Sequence, residues 1–378
     1  MTTHPLDAPT PFVPLPSRPP PLVAAGRLAW LRANLFGSAG NAATTIVLAG
    51  LLAFALPPVI GWLVGNAVWQ ADYDACRALE RTGACWGFVA EKWRLILFGR
   101  YPHAEQWRPA LATAIVVAAL VVTAIPAFWR RGLAWLWIAA LAAFFTLMRG
   151  GAFGLGPVDT GLWGGLPLTV LLTLVGMGAS IPLGILLALA RRSSLPLLRT
   201  LATLYIELVR GVPLITVLFT ASFVFPLLLP QGMRVDVLTR IALGIVLFQA
   251  AYMAEVVRGG LQALPKGQYE AAAALGLSWW RTQQKVILPQ ALTLVIPSFV
   301  NSLLSTFMDT SLVTVVSMYD LTGALRLALG DPRWRAFFIE AYLFVGGLYL
   351  VSCLAMSRYS AWLEGRLGRW ARREGGAT

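Results

Sequence analysis

Eight apolar runs, most of them twenty residues or longer, constrain this chain more than any other feature. They lie near 42–69, 109–129, 132–149, 163–190, 200–228, 238–260, 288–317 and 337–358. About 20 apolar residues let an α-helix cross the hydrocarbon layer, and there only structures that satisfy every backbone N–H and C=O internally persist. The runs therefore predict an all-α polytopic membrane protein with about eight transmembrane helices. Composition agrees, with 58% hydrophobic residues and only 12% charged and a mean hydropathy of +0.70, outside the balance of a soluble domain.

A net charge of +13 would suit a nucleic-acid partner if the basic residues formed a surface patch. They instead cluster at the ends of apolar runs: Arg130 with Arg131, Arg191 with Arg192, and Arg366, Arg369, Arg372 and Arg373. That is the positive-inside pattern, so the partner implied is the lipid bilayer and not nucleic acid. An even helix count with both termini cytoplasmic satisfies every basic cluster. The loop 70–108 strains the rule, since it would lie outside with six Lys or Arg residues against five acidic ones.

Organisation follows from these runs. Residues 1–40 read as a Pro-rich cytoplasmic tail, with eight prolines before residue 26. Within it, 26–38 form either a basic interfacial helix or a polar lead-in to the first span. Residues 41–159 read as a three-helix N-terminal extension with the external loop 70–108. A Gly-rich segment, 150–165, separates it from a five-helix core over 160–360, and 361–378 form a basic cytoplasmic tail. Cys76 and Cys85 share the external loop, where an oxidising compartment permits a bridge between them; two free thiols are the alternative.

Between the apolar runs, 261–290 stands out as a polar hairpin. Glu270 and the alanines Ala271 to Ala274 suit a short helix, Gly276 a turn, and Ser278 the cap of a second helix running towards Pro289. Small alanines permit close approach of another surface, with Gly276 and Leu277 expected at the tip. The segment either inserts into a partner's groove or, through Trp279 and Trp280, rests on lipid headgroups.

Polar residues inside the runs mark a further set. Glu207 with Arg210 and Glu255 with Arg258 repeat E-x-x-R-G, so each pair shares a helix face. They either hold their own helix ends or line the inner mouth of a cavity. Asn301, Ser305 and Asp309 recur every four residues and form one polar stripe. Asp309 suits pairing with an ammonium group, or capping a helix break through Thr310 and Ser311. Gln249 and Tyr252 offer a cavity wall or ordinary interhelical hydrogen bonds. Pro167, Pro182, Pro213 and Pro297 suit kinks within the core.

Five words in order, YIELVRGVPL (205–214), AYMAEVVRGGL (251–261), KGQYEAAAALGLS (266–278), VILPQAL (286–292) and DTSL (309–312), resemble the polar amino-acid branch of the binding-protein-dependent ABC importer permeases. The coupling motif of that family is matched by Glu270, Ala271, Ala272, Gly276, Leu288 and Pro289. The N-terminal addition is similar to the longer permease subunit of general L-amino-acid transporters. The resemblance covers 160–325 and implies a type I ABC importer permease core in a bacterial inner membrane. It implies a second permease subunit, commonly forming a heterodimer, two cytoplasmic ATPase subunits and a periplasmic solute-binding protein delivering L-amino acids. Coupling to the ATPase would pass through Glu270, Ala271, Ala272, Gly276 and Leu277. Met308 departs from the family, where the position before this Asp is commonly Lys.

No G-x-x-x-x-G-K-S/T phosphate cradle occurs, so ATP and Mg belong to the partner ATPase and this chain carries no cofactor of its own. With two histidines, His4 and His103, and no acidic cluster at ligand spacing, neither a metal site nor an intramembrane catalytic site is supported. Two alternatives stay open: a secondary amino-acid transporter, which usually carries two comparable halves, and a non-conducting partner permease.

Overall fold

The computed structural model describes residues 26–80, 82–128 and 132–375, with side chains through residue 366 apart from residue 27. The Pro-rich segment 1–25, the pair Arg130 and Arg131, and the side chains of Arg369, Arg372 and Arg373 lie outside the described residues. Helix dominates, and the one named strand among the described residues is Tyr319–Asp320.

Among the described residues, each apolar run is mostly helical. Six helices among the described residues are long and apolar enough to cross a membrane: Ala39–Gly65, His103–Ala124, Gly165–Arg191, Val237–Ala263, Ile296–Val316 and Arg335–Arg366. The third run, Leu133–Arg149, is apolar but only 17 residues long, at the lower edge of spanning length. The fifth is not one straight span. Pro196–Gly211 and Leu214–Leu228 meet at 104°, because Pro213 lacks an N–H and forces Val212 into an extended conformation (φ −105°, ψ 136°). Of the other three prolines expected to kink the core, Pro167 and Pro297 sit in first turns, where proline is tolerated, and Pro182 lies inside an unbroken helix.

Helices are numbered α1 (Gly26–Leu35), α2 (Ala39–Ile60), α3 (Tyr73–Ala78), α4 (Gly87–Phe98), α5 (Trp107–Ala124), α6 (Leu133–Arg149), α7 (Gly165–Arg191), α8 (Pro196–Gly211), α9 (Leu214–Phe219), α10 (Val237–Ala263), α11 (Lys266–Ala274), α12 (Trp279–Thr282), α13 (Leu288–Leu294), α14 (Ile296–Asp309), α15 (Leu321–Ala328) and α16 (Phe338–Gly375). The last helix continues through the expected basic tail as far as Gly375.

The chain folds as two compact units, Met1–Ala67 with Leu79–Ala84, and Val68–Ala78 with Cys85–Thr378. In the first, Ser38 caps α2 by accepting from the Asn41 N–H at 3.1 Å, and α2 has no buried residue. In the second, the division anticipated near residue 160 does not coincide with a break in packing. Tyr101, Val116, Phe144 and Met148 share one hydrophobic core with Trp163, Leu172, Leu218 and Ile245.

The centre of this unit is the parallel pair α7 and α10, whose contacts advance together from Gly176 with Ile245 to Gly184 with Met253. Gly176, Ser180 and Gly184 repeat every fourth residue along α7, and small residues let membrane helices approach closely. A Cβ at Gly184 would stand 2.4 Å from that of Met253, and one at Gly176 would stand 2.7 Å from Ile245 Cγ2. At about 1.5 Å per residue, α7 carries the chain from one end of the bundle to the other.

At the α7 N-terminal end, the loop that strained the charge rule is folded onto the core. Cys76 and Cys85 are joined in a disulfide, and the Cys85 N–H donates to Glu340 Oε1 at 2.9 Å. Tyr73 and Phe88 pack edge-on against Trp334. Four of the loop's cations are held individually. Lys92 pairs with Asp331 at 2.9 Å, Arg94 donates to Gln106 and the His103 carbonyl, and Arg100 donates to the Gly161 carbonyl. Arg108, only 1% exposed, donates to the Leu147 and Gly156 carbonyls and pairs with Glu105.

Asp320, fully buried, starts α15 by accepting from the Gly323 N–H at 2.8 Å and the Thr322 N–H at 3.2 Å. Burial pushes its carboxyl above the usual range, against the pull of those hydrogen bonds.

Candidate functional site

A cavity of about 710 Å³ opens where the α8–α9 bend faces α10 and α14. The bend leaves Gly211, Val212 and Pro213 on its wall in place of a continuous helix surface. From α10 come Gln249 and Tyr252, and from α14 come Asn301, Ser305 and Asp309. All five residues singled out by helical spacing thus meet at one place. Gln249 is buried, Asn301 and Ser305 are exposed, and Asp309 is half-buried.

Asp309 ends α14, where the helix tightens to 3₁₀ geometry over Thr310–Val316, and its side chain makes no capping hydrogen bond. Among the described residues no ion pair reaches it. The capping role considered for Asp309 is therefore not what this geometry displays. Thr306, on the next face, is spent internally, donating to the Ser302 carbonyl at 2.8 Å.

Below the cavity lies a charge network whose pairing differs from the local one expected. Arg258 grips Glu255 with hydrogen bonds of 2.7, 3.0 and 3.1 Å, as spacing suggested. Glu207 and Arg210 form no pair with each other. Glu207 instead accepts from Arg191 at 2.8 Å, Arg191 also pairs with Glu255, and Arg210 stands 3.7 Å from Glu255. The reason is reach: Arg191, at the end of α7, sits between α8 and α10 and offers two Nη atoms to two carboxylates. Helical spacing could not find Arg191, because its partners lie 16 and 64 residues away.

Further along, α11 leads into the polar hairpin. Gly276 adopts φ +68°, the Leu277 N–H donates to the Ala272 carbonyl at 3.1 Å and the Gly276 N–H to that of Ala273 at 2.9 Å. These two bonds make a Schellman cap, which requires a left-handed residue where Gly276 stands. They also correct the expected tip. Leu275 is 80% exposed, whereas Leu277 turns back to line a smaller cavity of about 280 Å³ with Arg192, Tyr269 and Gln283. Ala272 is buried, and Glu270 and Ala271 are exposed. Ser278 begins the second arm without a side-chain cap bond. That arm widens to a π-turn over Gln283–Ile287 just ahead of Pro289, whose missing N–H breaks the regular ladder.

The hairpin is tied to the bundle by Arg192, which donates to the Leu261 carbonyl at 3.3 Å and the Tyr269 hydroxyl at 3.2 Å. Its guanidinium also lies 5.6 Å from the Tyr269 ring centre. On the opposite arm, a Cβ at Gly260 would stand 2.7 Å from the Ala291 carbonyl oxygen, so α10 and α13 touch through backbone.

Comparison with known proteins places this geometry in context. Residues 180–369 match the family described as binding-protein-dependent transport system inner membrane component. The chain is similar to the inner membrane amino-acid ABC transporter permease protein YhdY of Escherichia coli (strain K12), 44% identical over 93% of this chain and 96% of that one. It is also similar to the glutamate/glutamine/aspartate/asparagine transport system permease protein BztC of Rhodobacter capsulatus, 37% identical over 94% of this chain and 97% of that protein. Among solved structures, an amino acid ABC transporter with histidines aligns over 53% of this chain and 91% of its own, at 28% identity and TM-score 0.48.

Proposed function

Since the chain belongs to the family of binding-protein-dependent transport system inner membrane components, we propose that it is the permease subunit through which an ATP-binding-cassette importer moves L-amino acids. The observation that carries this reading is the convergence of Gln249, Tyr252, Asn301, Ser305 and Asp309 on one cavity in the bundle. Polar groups at membrane depth are costly unless they face protein or water, so a polar-lined cavity of this size suits a small polar solute.

The hairpin is the docking element for an ATPase subunit, with Glu270, Ala271, Ala272, Gly276 and Leu277 as its coupling residues and Leu275 added from its exposure. ATP and Mg²⁺ act in that partner. Two ATPase subunits, a second permease forming a heterodimer and a periplasmic solute-binding protein complete the assembly. Closure of the ATPase pair would press on the hairpin and reopen the cavity to the other side of the membrane.

Both termini face the cytoplasm in this reading. Arg191, Arg192 and the hairpin share one end of the bundle, while the disulfide of Cys76 and Cys85 lies at the other, where an oxidising compartment would maintain it. The Glu207, Arg210, Glu255, Arg258 and Arg191 network then lines the inner mouth.

The deciding experiment reconstitutes the chain with its second permease, ATPase and binding protein in proteoliposomes and follows labelled L-amino acids. Uptake should require ATP and survive collapse of ion gradients. Uptake that persists with an inactivated ATPase, or that follows an ion gradient, would make this a secondary transporter and sink the proposal.

A further inference from the structure

The inner-mouth network does not balance, and its surplus faces the cavity. Three guanidinium groups, Arg191, Arg210 and Arg258, share two carboxylates, Glu207 and Glu255. Glu255 is already occupied, since Arg258 donates to both its oxygens and Arg191 to Oε1. A carboxylate offers about four acceptor positions, and these three N–H donors, one of them shared between the two oxygens, take up most of them. Arg210 is left at 3.7 Å from Glu255 Oε2, beyond hydrogen-bond length.

What holds Arg210 is weak and leaves its donors free. The guanidinium carbon lies 5.5 Å from the Tyr252 ring centre, a face-on contact that uses no N–H. Its side chain keeps 35% exposure and lines the 710 Å³ cavity, where Asp309 is the other charged residue on the wall. One wall of the cavity thus presents a cation with no hydrogen-bonded counterion, at the end of α8, and another presents the Asp309 carboxyl with no ion-pair partner, at the end of α14.

We propose that Arg210 is a carboxylate-binding residue of the passage, taking a carboxylate of the cargo on its planar fork of N–H donors while Tyr252 backs the guanidinium. This rests on reading the cavity as a passage for amino acids. An arginine suits the task because its fork matches a carboxylate bidentately, which a lysine does not. The surplus charge also has a consequence for specificity. A solute lacking a carboxylate leaves Arg210 uncompensated, so discrimination against it arises inside the membrane as well as at any binding protein.

The test measures equilibrium binding to the complex of this chain and its second permease in lipid nanodiscs, without binding protein. The probes are the labelled L-amino acid that binds tightest among the twenty and its α-methyl ester. Wild type should favour the acid by roughly ten- to a hundredfold, the range of a charge-assisted hydrogen bond. Arg210→Gln should lose that preference while keeping its affinity for the ester, which also reports an intact fold.

An acid-to-ester ratio in Arg210→Gln equal to that of wild type overturns the proposal. So does a wild type that binds both alike, or neither. Should Arg210→Gln bind neither probe, Arg210→Lys decides: a preference cut several-fold with ester affinity kept supports the fork, and an unchanged preference overturns it. Failure of the parent reading is separable. Absent ATP-driven uptake by the wild-type complex sinks the importer, whereas uptake together with an unchanged ratio sinks the role of Arg210 alone.

Discussion

Replacing Glu255 with Gln tests whether the inner-mouth charges act as one network. The carboxylate keeps 16% exposure and its partners Arg191, Arg210 and Arg258 keep 23%, 35% and 31%. Breaking a fully buried ion pair costs about 3–5 kcal/mol, chiefly from the charge left behind. Partial exposure of the arginines returns some of that through water, so Glu255→Gln should destabilise the chain by about 2–3 kcal/mol. Arg191→Gln leaves Arg258 in place on Glu255 and should cost about 1–2 kcal/mol.

The informative quantity is the double variant. Once Glu255 is neutral, Arg191 retains only Glu207, at 2.8 Å with 56% exposure on the glutamate side, so its removal should then cost little. Denaturant titration in mixed micelles of both single variants, the double variant and wild type should give a coupling energy of about 1–2 kcal/mol. Additivity within about 0.5 kcal/mol would mean that the contacts between Arg191 and Glu255 carry no energy, and the network would reduce to separate local pairs.

Gly276→Val places a β-branched residue at φ +68°, which costs roughly 1–2 kcal/mol locally; co-purification should show weakened ATPase association with membrane insertion unchanged. Replacing both Cys76 and Cys85 with Ser opens a loop of sequence separation 9 and should lower stability by roughly 2–3 kcal/mol, with dithiothreitol doing the same to wild type and nothing to the variant. Asp320 holds its proton more tightly folded than unfolded, because burial raises its carboxyl above 3.8. The stability it contributes is full below that value and lost as pH rises through the raised one, so Asp320→Asn should flatten that fall in thermal unfolding followed from about pH 4 upward. Arg192→Gln should reduce ATP-driven uptake several-fold while cavity binding in nanodiscs is retained, and an unchanged rate would remove it from the transmission path.

Legibility followed the range of the forces involved. The helices and the polar stripe on α14 are properties of 3.6-residue periodicity and span length, and both are written in contiguous sequence. The Schellman cap is equally local, which is why Gly276 could be singled out. Which residue it exposes is not local, because the cap turns Leu277 back towards Ala272 and leaves Leu275 exposed. Pairing between helices was not readable. Two E-x-x-R-G words look alike, yet Glu255 closes its local pair and Glu207 does not, the difference being an arginine contributed by α7. The cations of 70–108 were likewise opaque, since the carbonyls that hold Arg100 and Arg108 belong to residues 39 or more positions away.

Arg191 and Arg192 show what a topological rule leaves out. By charge and position they are interchangeable, and the positive-inside rule counts them as two equal votes. At the end of a helix, successive side chains leave the axis about 100° apart, and here that angle separates two sites. Arg191 turns to Glu207 and Glu255 at the cavity mouth, and Arg192 turns to Leu261 and Tyr269 at the hairpin. One peptide bond therefore joins the element proposed to receive force to the charges beside Arg210. Continuity of contact is not itself coupling. A displacement of Tyr269 that leaves Arg191 unmoved would require the α7 terminus to fray between them, and both side chains are anchored on opposite sides of that point.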